Sequence, residues 1–435
     1  MHFGGNKCIL ISIAGIVLSL YERLYYMKKV GIGIIGLGPR AETLLASLKF
    51  MTHLMDVTAI CDVNQSRIDL LRSKILEGNM PAPREYYDYR ELIADPAVDA
   101  VLIPTSWNSH LKIAEECLAQ GKYAGIEVGG AASLDELWQL VHSAEKTGVS
   151  CMMLENCCYG RNELMVLNMV RQGLFGELIH CECGYEHDLS EMAWKTPDKE
   201  RAVHNRFRCG DLYPTHGLGP MAKILRINRG NRFMTISSTA SKARGFAAAA
   251  KAHGIDAVYN QGDMVTSVIR CANGETIMLR HCISLPRPYS RDCRVQGTKG
   301  IWLEDVKGIF VEGISKTEEL IDLAGNPYTE HRWTKVDEFY EKYDHPIWKK
   351  YRENQVGGHG GMDFLVLSAF VDAVQKRIPT PIDVYDVAAW MSVTALSEQS
   401  AAMGGQVLPF PDFTNGKWIA REPEVSSEWS LNEIQ

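Results

Sequence analysis

Tyr213 and His216 are the residues best suited by type and spacing to move protons, in the string Leu212-Tyr213-Pro214-Thr215-His216-Gly217-Leu218-Gly219-Pro220. Three positions apart, they share a face if the segment is helical. A phenol beside an imidazole can pass a proton at neutral pH, with the histidine as the natural general base. A histidine simply packed in a Gly- and Pro-rich turn is an equal reading of these residues alone. Upstream, Tyr185 and His187 alternate on one face of an apparent strand, with Cys181 and Cys183 on the same side. His180, Glu182 and Glu186 fall on the other face, which is expected to be solvated. Tyr289, in Arg287-Pro288-Tyr289-Ser290-Arg291, reads from its neighbours only as a loop aromatic.

A second constellation points to a dinucleotide. Gly31-x-Gly33-x-x-Gly36 matches a phosphate-binding fingerprint as text, but its first two glycines lie inside a predicted strand. The physically sensible frame is Gly36-Leu37-Gly38-Pro39-Arg40-Ala41, where the glycines follow the strand. There a tight turn and close backbone approach to a pyrophosphate are required, and the helix N-terminus faces the phosphates. Asp62 ends the next strand, where a carboxylate would accept both adenosine ribose hydroxyls and favour NAD over its 2′-phosphate analogue. Its bland alternative is a helix N-cap, a role Asn64 could fill instead.

The elements that must position these residues alternate strand and helix. Val30–Ile35, Val57–Cys61, Ala100–Ile103, Tyr123–Val128 and Cys151–Leu154 read as buried parallel strands. Between them, Ala41–Phe50, Gln65–Glu77, Ser109–Gln120 and Leu134–Thr147 read as helices, so the N-terminal half is a doubly wound Rossmann α/β sheet. The turn Pro104-Thr105-Ser106-Trp107-Asn108-Ser109-His110 and the stretch Glu127-Val128-Gly129 lie at carboxyl ends of strands, where such sheets bind ligands. Trp107, Asn108, Ser109 and His110 are therefore placed at the cofactor, although core packing explains Trp107 and His110 equally well. After Leu154 comes a helix, Asn162–Gln172, and then a strand, Leu178–His187. Longer strands are expected near Arg232–Thr239, Asp263–Arg270 and Thr276–Ser284, then helices over Met362–Lys376 and Val384–Ala402. This predicts an α+β domain with a broad, mainly antiparallel open sheet. His359-Gly360-Gly361 could bring amides or an imidazole to the cleft, but reads as a plain helix start. The expected division is an extension over 1–26, a dinucleotide domain over 27–154 and a substrate domain over 155–435.

Composition narrows the class. A chain of 435 residues, 46% apolar and 23% charged, has enough apolar sequence for two cores. Its net charge of −7 argues against nucleic acid as a partner. The 12 cysteines are scattered through an α/β pattern, which fits reduced thiols and a cytoplasmic enzyme better than a disulfide scaffold. Neither Cys157-Cys158 nor Cys181-x-Cys183 has the paired spacing of a zinc site, so no metal is expected. The apolar run Cys8–Leu20 is short for a membrane span, and Met27-Lys28-Lys29-Val30 begins as a cytosolic dinucleotide enzyme would. Residues 1–26 are read as an upstream extension, with an export signal or anchor as the alternative.

From the stretch Glu127-Val128-Gly129 onward the sequence resembles the Gfo/Idh/MocA oxidoreductases, which typically carry Glu-Lys-Pro there. In the dehydrogenases of that family the lysine polarises the alcohol being oxidised, and it is missing here. With Leu154-Glu155-Asn156-Cys157-Cys158-Tyr159-Gly160, Gly184-Tyr185-Glu186-His187-Asp188, the Tyr-Pro-Thr-His string and His359-Gly360-Gly361-Met362-Asp363, the chain looks like glycoside hydrolase family 109. The similarity runs from about Val30 to the C-terminal helices.

That resemblance implies a redox route to glycoside cleavage, with an N-acetylgalactosaminide as the sugar. NAD⁺ removes hydride from sugar C3, and the resulting ketone acidifies C2. Elimination across C1–C2 expels the anomeric substituent, water adds, and the hydride returns. It further implies that Tyr185 and Tyr289 contact substrate along with Tyr213, Pro214, Thr215 and His216, and that Glu127, Val128 and Asn156 hold the nicotinamide end. His187 joins them only as a strand neighbour of Tyr185. A plain NAD-dependent sugar or cyclitol dehydrogenase using His216 as base stays open, as does a non-catalytic NAD-binding protein. A homo-oligomer is also expected, because an exposed sheet face often pairs in this fold.

Overall fold

The computed structural model describes residues 28–421 and 427–431. The apolar run Cys8–Leu20 and the boundary at residue 27 lie outside them. Among the described residues no helix is long and apolar enough to cross a membrane.

The N-terminal layer is a six-stranded parallel sheet in the order β3-β2-β1-β4-β5-β6. Its strands are β1 (Val30–Ile35), β2 (Met55–Cys61), β3 (Arg84–Tyr86), β4 (Ala100–Ile103), β5 (Tyr123–Ile126) and β6 (Cys151–Met153). The helices α1 (Pro39–Leu48), α2 (Gln65–Glu77), α3 (Tyr89–Ala94), α4 (His110–Ala119) and α5 (Leu134–Thr147) wind between them. This is the doubly wound order whose reversal between β1 and β4 opens a crevice at the strands' carboxyl ends. The strands are apolar on both sides because helices cover both faces. Short β3 and α3 were not expected from the sequence; β3 lies at the sheet's edge and lacks the apolar run that marks the others.

The second layer follows α6 (Arg161–Arg171) and begins with β7 (Leu178–Glu186). Next come α7 (Glu200–Phe207), α8 (Thr215–Ile224), β8 (Phe233–Ala240), α9 (Gly245–Ala252), β9 (Val265–Cys271) and β10 (Thr276–Cys282). Then follow β11 (Arg294–Gly297), β12 (Gly300–Leu303), β13 (Gly308–Val311), the hairpin β14 (Thr317–Ile321) and β15 (Pro327–His331), and β16 (Thr334–Lys335). Helices α10 (Met362–Lys376) and α11 (Val384–Ala402) precede β17 (Leu408–Pro409). Nine strands form one sheet in the order β16-β13-β12-β11-β7-β10-β9-β8-β17. All its pairs are antiparallel except β7 with β10. Glu182 and Glu186 on β7 are buried rather than solvated. Arg280 and Arg294 reach Glu182, and Arg287 reaches Glu186, so cross-strand cations cover the two carboxylates.

Two contacts decide where the site forms. A Cβ on Gly217 would lie 2.6 Å from the Gly184 backbone nitrogen, so α8 packs backbone to backbone on β7. A Cβ on Gly219 would lie 3.1 Å from the Glu155 and Cys158 side chains in the turn after β6, so glycine lets the same helix approach them closely. The run Gly217-Leu218-Gly219 thus seats the helix start between the two sheets.

Candidate functional site

Of the two glycine frames, Gly36 and Gly38 fall in the turn between β1 and α1. Gly31 and Gly33 lie within β1, where added Cβ atoms would strike Ala97 and Leu92. Gly36 has φ +90° and its Cβ would press on Thr105, so the turn requires glycine. Gly38 is the N-cap of α1, has no side chain to cap the first turn, and Pro39 opens the helix. The amides of that turn are arranged for an anion. Asn64, not Asp62, caps α2 by accepting from Ser66 N. Asp62 instead accepts from Leu37 N at 2.8 Å, tying the end of β2 to the glycine turn.

Two adjoining cavities run along the carboxyl edge of the parallel sheet and share Pro104, Thr105 and Ser106. One, of about 380 Å³, is lined by Gly36, Gly38, Asp62, Arg67 and Ser109. The other, of about 350 Å³, is lined by Arg40, Trp107, Glu127, Val128, Asn156, Tyr185, Tyr213 and His216. The residues expected at opposite ends of a dinucleotide therefore lie along one groove. Asn108 is exposed nearby, while His110 is wholly buried at the start of α4, where burial pushes its imidazole down to about 4. Arg40 donates to Glu127 at 2.8 Å. Burial raises the Glu127 carboxyl, and Arg40 opposes that rise.

At the second domain's side of the groove, aromatic rings and imidazoles converge. Tyr213 precedes α8 rather than lying within it, and still meets His216, with ring centroids 4.9 Å apart at 88°. The Tyr213 hydroxyl is 3.5 Å from His216 Nε2. Tyr185 stands 4.5 Å from the Tyr213 ring and 6.0 Å from that of Tyr289. His187 lies 3.3 Å from the Tyr185 hydroxyl and 5.2 Å from the Tyr289 ring. Pro214 and Thr215, expected to contact substrate, are instead buried and do not line the cavity, which Tyr213 and His216 reach.

Three participants were missed from the sequence. Glu155, wholly buried, lies 2.7 Å from His216 Nδ1. Burial raises that carboxyl, but the imidazole's charge and hydrogen bond bring it below the ordinary range. Burial lowers His216, and its neighbours Cys157 and Glu155 then carry it well above the ordinary histidine value. A carboxylate that fixes one ring nitrogen leaves the other, Nε2, facing Tyr213 and the cavity. Arg201 on α7 sets its guanidinium 4.4 Å over Tyr213 and 5.3 Å over Tyr185. Glu200, its neighbour, accepts from the amides of Trp107 and Asn108 at 3.1 and 2.9 Å. Glu155 stood inside a quoted motif, but its partner lies 61 residues away. Helix α7 had no apolar periodicity to announce it. Glu155, Cys157 and His216 also place donor atoms within 4.8 Å of one another, a grouping that Cys spacing could not reveal.

Burial raises the Tyr213 phenol to about 12, against the pull of His216 and Arg201, so it stays protonated and can donate. The site thus combines a carboxylate-held imidazole, a phenol donor and a cation at one end of the groove along the parallel sheet.

These features define a Rossmann-type α/β fold joined to a second, mainly antiparallel α+β domain. Residues 30–155 match the model of the oxidoreductase family with an NAD-binding Rossmann fold. Residues 159–420 match the C-terminal domain of glycosyl hydrolase 109. The chain belongs to glycosyl hydrolase family 109. It is 38% identical over 431 residues to a family 109 protein of Parabacteroides distasonis, covering 92% of this chain and 90% of that one. It is 41% identical over 416 residues to an alpha-N-acetylgalactosaminidase of Shewanella oneidensis, covering 91% and 88%. Among solved structures, scyllo-inositol dehydrogenase of Lactobacillus casei with bound NAD(H) and scyllo-inositol matches with a TM-score of 0.61 at 12% identity. That match covers 88% of this chain and 99% of the dehydrogenase.

Proposed function

We propose that this chain is an NAD⁺-dependent glycosidase acting on a terminal N-acetylgalactosaminide. The observation that carries the reading is the Glu155–His216 pair, which opens Nε2 onto the same cavity as Arg40, Glu127 and Asn156. A proton-transfer group thereby stands beside the place where a nicotinamide would lie. Gly36, Gly38 and Pro39 would take the pyrophosphate and Asp62 the adenosine ribose. Trp107, Asn108 and Ser109 would flank the cofactor, with Glu127, Val128 and Asn156 at the nicotinamide end; His110, expected beside them, is instead wholly buried and lines neither cavity.

NAD⁺, when bound there, would supply the hydride acceptor at sugar C3 and later the hydride donor, chemistry that no side chain offers. His216 in its neutral form takes the proton made acidic at C2. The C3 hydroxyl proton leaves to solvent as hydride is taken and returns from solvent on re-reduction; Tyr213, kept as a phenol, donates to the C3 oxygen when loss of the C2 proton gives it charge. Arg201 lends positive charge above both tyrosines. The electron pair left at C2 forms the C1–C2 double bond as the C1–O bond breaks onto the leaving oxygen, which takes a proton from solvent; water then adds at C1, losing a proton to solvent, as C2 regains its proton from His216. Tyr185, His187 and Tyr289 would line the sugar, with Pro214 and Thr215 holding Tyr213 and His216 in place.

The test is incubation of the purified protein with nitrophenyl N-acetyl-α-galactosaminide, following phenol and NADH together. Phenol release without net NADH is expected. NADH accumulating with a free sugar, without phenol release, would return the chain to the dehydrogenases.

A further inference from the structure

The segment Gly357-Gly358-His359-Gly360-Gly361-Met362-Asp363 is more than the start of a helix. Gly357, His359, Gly360 and Gly361 all have positive φ, an arrangement that a non-glycine such as His359 adopts only at a cost. The turn ends at Asp363, in the first turn of α10, whose side chain is wholly buried. Its Oδ1 accepts from Arg40 Nη2 at 3.0 Å and from Asn156 Nδ2 at 2.8 Å. Its Oδ2 accepts from Arg40 Nη1 at 2.9 Å and from His359 Nδ1 at 2.8 Å. Each oxygen thus accepts two hydrogen bonds, in two cases from a bidentate guanidinium. A Cβ on Gly358 would fall 2.5 Å from Oδ2, so the turn leaves room for this carboxylate.

The partners give the arrangement its meaning. Arg40 lies in the first turn of α1, which follows the glycine turn after β1, Asn156 belongs to the turn after β6, and His359 to the second domain. Arg40 and Asn156 line the cavity assigned above to the nicotinamide end, and so does His359. We infer that Asp363 is the positioning residue of the cofactor site, a single carboxylate that sets the Arg40 guanidinium and the Asn156 amide when the second domain docks. Without it, among the described residues, Arg40 keeps its side-chain hydrogen bonds to Glu127 and Thr43, and the Asn156 amide keeps the contact of its Oδ1 with Cys157 Sγ at 3.6 Å. The inference rests on the NAD reading above and adds to it a residue that need not touch the cofactor.

The experiment compares the full-length wild type with Asp363→Asn and Gly358→Ala. NAD⁺ affinity is read by tryptophan fluorescence and by the rise in Tm on adding NAD⁺, and glycoside kcat and KM are measured at saturating NAD⁺. Asp363→Asn removes the charge. Gly358→Ala keeps it but displaces Oδ2, and serves where the first variant does not fold. Losing a charge-assisted hydrogen bond predicts NAD⁺ binding weakened about tenfold or more in Asp363→Asn, with a smaller loss in Gly358→Ala. The NAD⁺-induced rise in Tm should shrink, and kcat should fall with glycoside KM unchanged. Wild-type NAD⁺ affinity and kcat in a folded variant would overturn the positioning role alone. A wild type that binds no NAD⁺ would overturn the cofactor reading, and this inference with it.

Discussion

Glutamine at position 155 removes one negative charge from the centre of the site and little else. The carboxylate lies 2.7 Å from His216 Nδ1 and is wholly buried, so its charge acts on the imidazole with little screening. A hydrogen bond to a charged partner contributes about 1.5–3 kcal/mol against about 0.5–1.5 kcal/mol for a neutral one. Glu155→Gln therefore gives up on the order of 1–1.5 kcal/mol of preference for the imidazolium, a shift of about tenfold in its ratio to the imidazole. The sign follows from the raised pKa of His216. The protonated ring is the favoured state, and the neutral base forms only as pH rises through that raised value. Wild-type kcat/KM should climb with pH on the alkaline side of the ordinary histidine range, and in the variant the climb should move to lower pH. The plateau should also drop, because the glutamine amide can present either end and no longer fixes which ring nitrogen carries the proton. Loss of that control costs about 10⁴-fold in a serine-protease triad, which bounds the effect here. The assay is phenol release against pH, with NAD⁺ affinity measured in parallel. A variant with the same midpoint and plateau as wild type would remove Glu155 from the mechanism.

Other perturbations separate the parts of the site. His216→Ala should leave NAD⁺ binding intact and lower turnover by about 10²–10⁴-fold, the usual range for a general base; near-normal turnover in a stopped assay would exclude that role. Asp62→Ala removes a carboxylate that also accepts from Leu37 N, so NAD⁺ affinity should fall by about tenfold or more; an unchanged titration would refute the ribose assignment. Arg201→Lys keeps the charge but loses the planar group stacked over Tyr213, and should raise glycoside KM while NAD⁺ affinity holds. Asp386 is buried against Lys223 and Arg229; burial raises its carboxyl, but those cations hold it well below the ordinary range. Its stabilising contribution is full above about pH 4 and is lost as pH falls through the lower folded value. Acid unfolding of Asp386→Asn should therefore be less steep than that of wild type, although the variant is less stable at neutral pH.

How much of this was legible depends on whether the signal was local. Strand β1, helix α2 and helices α10 and α11 follow from apolar periodicity and capping, and their limits match the pattern read from the residues. Gly36 was legible because a φ of +90° after a buried strand leaves its mark as a glycine. Glu155 was not, because a buried carboxylate and its imidazole share no spacing rule when a strand and several helices intervene. Arg201 and Glu200 escaped for another reason. Helix α7 has only Ala202 and Asn205 buried, and its polar side chains face the groove instead of a core. Sequence pattern reports what faces a core, and a short helix whose work is polar leaves little pattern to read.

The missing lysine links these points. Where the related dehydrogenases carry Glu-Lys-Pro, this chain has Glu127 and a buried Val128, so no ammonium reaches the cavity from that position. Positive charge enters from the second domain instead, as the Arg201 guanidinium and as the imidazolium that Glu155 sustains. A lysine beside the alcohol serves a single oxidation. An imidazole held by a buried carboxylate can give up and recover a proton within one turnover, which the return of C2–H requires. Restoring the lysine with Val128→Lys should therefore not convert the site into a productive dehydrogenase. The added cation would face Arg40, already paired with Glu127, and should weaken NAD⁺ binding. A Val128→Lys variant that released NADH from a free sugar at a rate matching glycoside cleavage in the wild type would show that the lysine alone separates the two chemistries.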